Sequence, residues 1–348
     1  MTEYGFLALF TLSCLAYIWW GARTLPREQW QFVAALPIAK GADGSWRGIN
    51  LTWYGLLTAN AYLIAVSVLL LLLGGLAVPP TAIVALATIM LLVCVPASRI
   101  VAGLVEKKAH TFTVGGAVFV GTLLAPWVVT AMNRAGGDAG WQLPPLATLA
   151  AFSIAYTFGE GLGRLACLSF GCCYGKPVDA CSPAMRRLFA PIALIFSGET
   201  KKIAYAAEMG GVAVVPVQIL TSLVHVAGGV AAILLFLQGA HGASFALSIT
   251  VTQGWRFASE LLRADYRGTG SLSAYQVMGI VAIAYSWGAM LLLPDTPARF
   301  SPAAGLAIFW SPSIIISLQG IWLSILLYTG LSRVTTAELR FSVRRDRI

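Results

Sequence analysis

Apolar runs recur along this chain from one end to the other, and each is close to the ~20 residues an α-helix needs to cross the hydrocarbon core of a bilayer. Nine of them can be marked, at about residues 4–21, 51–75, 80–103, 111–132, 145–169, 213–238, 243–262, 272–294 and 308–331. Only 11% of residues are charged and 58% are hydrophobic, against the roughly 25% charged that a soluble domain carries. A backbone in lipid must satisfy its own hydrogen bonds, and no alternating pattern of a barrel is present. The expected fold is therefore all-α, a polytopic transmembrane helical bundle of about nine spans. The first run has no basic residues before it and no small-residue cleavage site after it, which reads as a retained span and not a signal peptide.

Between the spans the chain is basic. Of the 23 Lys and Arg residues, twenty fall on one face of the nine-span arrangement, Arg134 and Arg299 on the other, and Arg164 within a span. The positive-inside rule then places the N-terminus outside and the C-terminus in the cytoplasm. The formal net charge of +9 is spread around span ends and not gathered in a module, so anionic lipid is the expected partner and nucleic acid is not. The longest segment between spans, residues 171–211, is too apolar for a linker and is expected to form a small subdomain at the membrane surface.

Ionisable groups inside spans are costly and mark candidate sites. Glu160 and Arg164 are four residues apart, as are Arg256 and Glu260, so each pair lies on one helix face. A single pair reads as a salt bridge that lowers the cost of burial. Two pairs, with Arg99 and Arg263 towards the same membrane face, point to a polar pocket whose guanidinium groups suit a phosphate.

Six cysteines are present. Cys14 and Cys94 sit in spans as small packing residues, whereas Cys167, Cys172, Cys173 and Cys181 crowd together. Their spacing lacks the paired C-x2-C units of common zinc sites. A disulfide requires an oxidising compartment, a thiolate is favoured beside Arg164 and Lys176, and simple packing in a Gly-rich turn is an equal reading. Among the three histidines, His110 follows Glu106, Lys107 and Lys108 at a span entrance, where it is placed to act as a base. His225 reads as structural and His241 as solvated in a short loop.

The order of the remaining motifs resembles the prolipoprotein diacylglyceryl transferase family over residues 50–294, leaving 1–49 (a span and a basic loop) and 295–348 (a span and a basic tail) as additions. Trp53-Tyr54-Gly55 is similar to its WYG, and Arg99 to the arginine of its next span. Gly163-Arg164 opens its GR segment, which runs on to Tyr174-Gly175-Lys176. Pro216 and Gln218 match its P-x-Q, and Arg256, Phe257, Glu260 and Arg263 its RF-x-x-E-x-x-R. The family's HGG appears as Val114-Gly115-Gly116, without the histidine. Cys167 and Phe170 stand where its asparagines would be, Cys172-Cys173-Tyr174 replaces a stretch with a glutamate, and Leu220 replaces a tyrosine.

The resemblance implies an enzyme of the bacterial plasma membrane that moves diacylglyceryl from phosphatidylglycerol to a thiol or other nucleophile and releases glycerol phosphate. It needs no metal or soluble cofactor. Tyr54, Arg164, Arg256 and Glu260 become the expected catalytic residues. Arg99, Gly115, Gly116, Glu160, Cys167, Gly175, Gln218 and Arg263 become the expected substrate-binding ones. In the family this face looks outward, whereas the charge distribution turns it inward. A phospholipid-binding or lipid-translocating protein on the same fold is the alternative, and a thiol-redox or metal protein built on the cysteines is a third.

Overall fold

The computed structural model describes residues 3–106, 114–137, 141–264, 272–295, 300–331, 340–341 and 346. His110, Lys107 and Lys108 lie outside them. Among the described residues nine helices of 19 residues or more follow the expected spans: α1 (Glu3–Thr24), α2 (Trp53–Gly75), α3 (Pro80–Glu106), α4 (Val114–Gly136), α5 (Pro145–Phe170), α8 (Val217–Leu237), α9 (His241–Glu260), α10 (Ala274–Leu292) and, after the short α11 (Pro302–Ala307), α12 (Pro312–Gly330). Seven of them are long and apolar enough to cross a membrane, and the chain is a multi-pass membrane helical bundle. The two that fall short are α5 and α9, the helices that carry the charged pairs.

Their position explains the exception. Seventeen of the 26 residues of α5 are buried, because α2, α8, α9, α4 and α1 all pack against it. Of α12, on the outside, only Ile314, Leu326 and Gly330 are buried. A helix surrounded by protein meets other side chains instead of lipid, so α5 and α9 can carry Ser, Thr, Gln and charge that an outer helix cannot.

Helix α1 packs on α8 and α5, and α12 on α2, and both are hydrogen-bonded to one residue of α2. Asn60 on α2 donates to Tyr17 Oη of α1 at 3.2 Å and accepts from Trp322 Nε1 of α12 at 2.8 Å. Gly55 of the WYG element opens α2 behind the N-cap Thr52, and Thr52 also donates to the Gly330 carbonyl. A Cβ on Gly55 would lie 2.2 Å from Gly330 Cα, so the contact is backbone on backbone, as small-residue helix crossings in membranes require.

Two regions between the long helices contain further elements. The segment expected as a basic loop forms an antiparallel hairpin, β1 (Phe32–Lys40) with β2 (Trp46–Thr52), and β5 (Arg340–Phe341) from the basic tail adds to β2. The run FVAALPIAK is apolar without a period of two, so it carries no sheet signal of its own. Residues 171–211, expected as a small subdomain, form a cap with α6 (Pro183–Phe189), α7 (Lys202–Ala207) and β3 (Leu194–Ile195), which pairs with β4 (Ala213–Val214) just after them. Phe196, Ile203 and Val214 pack its interior against Leu165 and Leu168 of α5.

Gly55→Ala is expected to cost about 1–3 kcal/mol through overpacking, read as a lower thermal unfolding temperature in detergent. Gly320→Ala on α12, where an added Cβ meets nothing within 4 Å, should leave that temperature unchanged or raise it.

Candidate functional site

The end of α5 brings the GR segment and the cysteines together. Glu160 forms an ion pair with Arg164, as the i, i+4 spacing predicts. Arg164 Nη1 also lies 3.8 Å from Cys173 Sγ, while its buried Nε has no hydrogen-bond partner among the described residues. Tyr54, at the start of α2, lies edge-on to Phe170 with ring centroids 5.9 Å apart, and it faces Arg164 and Cys167, Cys172 and Cys173.

Arg256 on α9 comes in from the other side. Its guanidinium lies 5.0 Å from the centroid of the Tyr275 ring on α10, a cation–π arrangement. It rests on Gly115, where a Cβ would come within 2.5 Å of Arg256 Nη2. Gly116 meets Val101 of α3, at 2.5 Å from the position a Cβ would take. The glycine pair is thus explained by what it admits: Gly115 leaves room for an arginine and Gly116 for the neighbouring helix.

The second expected ion pair does not form. Glu260 turns away from Arg256, and its Oε2 accepts from Ser273 Oγ at 2.6 Å. Ser273 is the N-cap of α10 in a capping box with Gln276, so the hydroxyl that reaches Glu260 is held in place by a helix start. Glu260 Oε1 is buried without a hydrogen-bond partner among the described residues. Gln218, 1% exposed, donates to the Cys172 carbonyl at 2.9 Å and leaves its Oε1 in the same state.

Gly175 and Arg263 meet across a backbone bridge. On its other side Gly175 presses on Val215, whose carbonyl oxygen would be 2.2 Å from a Cβ, so no side chain fits. Lys176 N donates to Leu262 O at 2.9 Å and Val215 N to Lys176 O at 3.0 Å, which ties the cap to the ends of α8 and α9. Arg263 is close enough for its charge to act on Arg164 and Cys173.

Arg99 is placed differently from its expectation. It stands on the exposed side of α3, and its Nη2 donates to Tyr328 Oη of α12 at 2.7 Å. His241, expected in solvent, is fully buried at the start of α9, with Nδ1 3.0 Å from Asp295 Oδ1. Gly242 N donates to the other Asp295 oxygen at 3.3 Å, so the carboxylate caps the positive end of α9. His225 is structural, with Nδ1 2.9 Å from the Thr221 carbonyl.

Tyr156 escaped the sequence reading. It sits one turn before Glu160 on the same face of α5, within reach of the charges of Arg256 and Arg164 and beside Gln253. The spacing Tyr156, Glu160, Arg164 was the available signal.

With this geometry in place, a comparison with known families is decisive. The model described as "Prolipoprotein diacylglyceryl transferase" matches residues 45–292, more than two thirds of the chain. The chain belongs to the prolipoprotein diacylglyceryl transferase family. No curated protein matches it. The family segment runs from β2 to the end of α10, so it contains every residue of the cluster around Arg164 and Arg256, while α1 and α12 lie outside it.

One buried cation couples an added helix to the family core. Lys201, 1% exposed, donates from Nζ to Leu25 O just after α1 at 3.1 Å and to Ser169 O of α5 at 2.7 Å. Burial draws its ammonium group down to about 8 from an ordinary 10.5, opposed by Glu28. Between these values the unfolded chain holds the proton and the folded one does not, so folding gains stability as pH rises from about 8 to about 10.5. Compared with Lys201→Met across that window, the wild type should gain thermal stability. A constant difference between the two would contradict the assignment.

Proposed function

We propose that this protein transfers a diacylglyceryl group from phosphatidylglycerol to a thiol acceptor in the bacterial plasma membrane, releasing glycerol phosphate. The observation that carries the reading is the set of unmatched polar atoms gathered around two inner-helix arginines. Arg164 Nε is an unmatched donor, and Gln218 Oε1 and Glu260 Oε1 are unmatched acceptors. A phosphate flanked by a glycerol diol presents the complementary groups. Its oxygens accept from guanidinium and its hydroxyls donate to carboxylate and amide.

In this reading Arg164 and Arg256 hold the phosphate. As the acceptor sulfur forms its bond to the diacylglyceryl carbon, the bond from that carbon to the phosphate oxygen breaks. Charge then gathers on the departing glycerol phosphate, where fixed guanidinium groups stabilise it most. Glu160 and Tyr275 keep the two arginines in place, Tyr54 and Tyr156 line the space between them, and Arg263 adds positive charge at the rim. Glu260, free of Arg256, serves the headgroup hydroxyls instead of orienting an arginine. Arg99 acts from outside the cluster, where its contact with Tyr328 and its exposure suit an approaching lipid phosphate.

Purified protein given labelled phosphatidylglycerol and a cysteine peptide should release glycerol phosphate. Arg164→Ala and Arg256→Ala should each lower that rate by about a hundredfold or more. Gly115→Ala should lower it by displacing Arg256, and Gly103→Ala, with open space at its Cβ position, should not. Tight lipid binding with no release under any acceptor would support the phospholipid-binding alternative.

The charge distribution turns the site face inward. A cysteine replacing the exposed Ala42 of the β1–β2 hairpin should resist a membrane-impermeant maleimide in intact cells. Ready labelling would turn the site outward and make an exported cysteine the acceptor.

A further inference from the structure

The three cysteines at the end of α5 are arranged more closely than packing requires. The sulfurs of Cys167, Cys172 and Cys173 all lie within 4.8 Å of one another. Cys167 is on the last turns of α5, and the chain must reverse at once for the other two to return over it. Two left-handed residues make that reversal, Gly171 at φ 69° and Cys173 at φ 56°. The first is an ordinary glycine helix end, with the Cys172 N–H returning to the Cys167 carbonyl at 3.1 Å. The second is a side-chain-bearing residue in a conformation that costs roughly 1–2 kcal/mol, the kind of local strain found where a side chain is being aimed. Gln218 then fixes the carbonyl of Cys172 from α8.

We propose that Cys167, Cys172 and Cys173 form a three-thiolate site for zinc or a similar soft divalent cation, whose fourth position binds and activates the acceptor thiol. Four-coordinate zinc with sulfur at about 2.3 Å sets sulfur separations of roughly 3.8 Å, so closing this cluster on an ion moves each sulfur by roughly half an ångström. Soft thiolates select such ions, and three protein ligands with one open position is the arrangement of a catalytic zinc site. Charge supports it as well. Three thiolates around a divalent cation leave one net negative charge, and Arg164 stands 3.8 Å from Cys173 Sγ with Arg263 also close to it. Cys181 takes no part, since its thiol donates to the Pro177 carbonyl at 3.5 Å.

The activating role rests on the transferase reading above. A thiol must lose its proton to attack carbon, and among the described residues the two histidines, His225 and His241, are committed to Thr221 and Asp295. At a metal the loss is direct, because a coordinated thiol is deprotonated. The acceptor thiol gives its proton to a metal-bound hydroxide, which leaves as water. The bound thiolate then forms the carbon–sulfur bond while the carbon–oxygen bond to phosphate breaks, and glycerol phosphate departs with the electron pair. Water replaces the thioether at the metal and releases a proton.

The test uses the full-length protein, reduced and in detergent, titrated with cobalt(II). Saturable binding is expected, with a thiolate-to-cobalt charge-transfer band and the ligand-field bands of a four-coordinate ion. Cys167→Ser, Cys172→Ser and Cys173→Ser should each weaken binding at least about tenfold, and Cys181→Ser should not. Adding N-acetylcysteine amide should shift the ligand-field bands. Absence of the charge-transfer band from protein with its thiols free, or its persistence in the triple serine variant, would overturn the site. Bands that ignore the added thiol, or equal turnover by metal-stripped and zinc-loaded protein, would overturn the activating role. If glycerol phosphate is released in neither state while cobalt still binds through the three cysteines, the transferase reading falls and the metal site stands.

Discussion

A guanidinium inside an apolar bundle has to be answered by the protein around it, and the layout of this chain follows from how Arg164 is answered. Glu160, one turn away, cancels most of its charge. The pair remains too polar for lipid, so the helix that carries it must be wrapped on all sides, and α5 is the most enclosed of the long helices. α9 follows the same logic with Arg256, whose guanidinium lies over an aromatic face. Seven of the long helices are apolar enough to cross a membrane, and the two that are not pack against five of them and against each other. The polar groups left unmatched between the two inner helices are what gives the bundle a place for chemistry.

The added helices belong to this arrangement. α1 and α12 lie outside the family segment, yet both are hydrogen-bonded to one amide, Asn60 of α2. In lipid such bonds matter because no water competes for the groups. The Gly55–Gly330 crossing extends the same contact towards the site face, so the first turn of α2, which carries Tyr54, is held from behind by α12.

The positions of the long helices could be read from the sequence because hydrophobic length is a one-dimensional signal. The Glu160–Arg164 pair was legible for the same reason, since both residues lie on one helix and spacing alone sets their geometry. Glu260 shows where this stops: its partner, Ser273, is on the next helix, and no local rule favoured it over Arg256. Arg99 and His241 were misplaced for want of tertiary neighbours, Tyr328 in one case and Asp295 in the other. The hairpin at residues 32–52 was hidden because its strands lack alternation. The cap at 171–211 was legible as a folded unit, although its pinning of Gly175 between Val215 and Arg263 was not.

Lys201 has a consequence for how the molecule is made. Its amine joins the chain just after α1 to the last turn of α5, and Trp322 completes the bond to Asn60 that Tyr17 begins. Helix α1, made before these partners, thus waits for residue 201 to be locked at one end, while its anchor on α2 is completed only when α12 arrives. Synthesis runs from α1 towards α12, but closure runs backward to α1, so an early helix is fastened late.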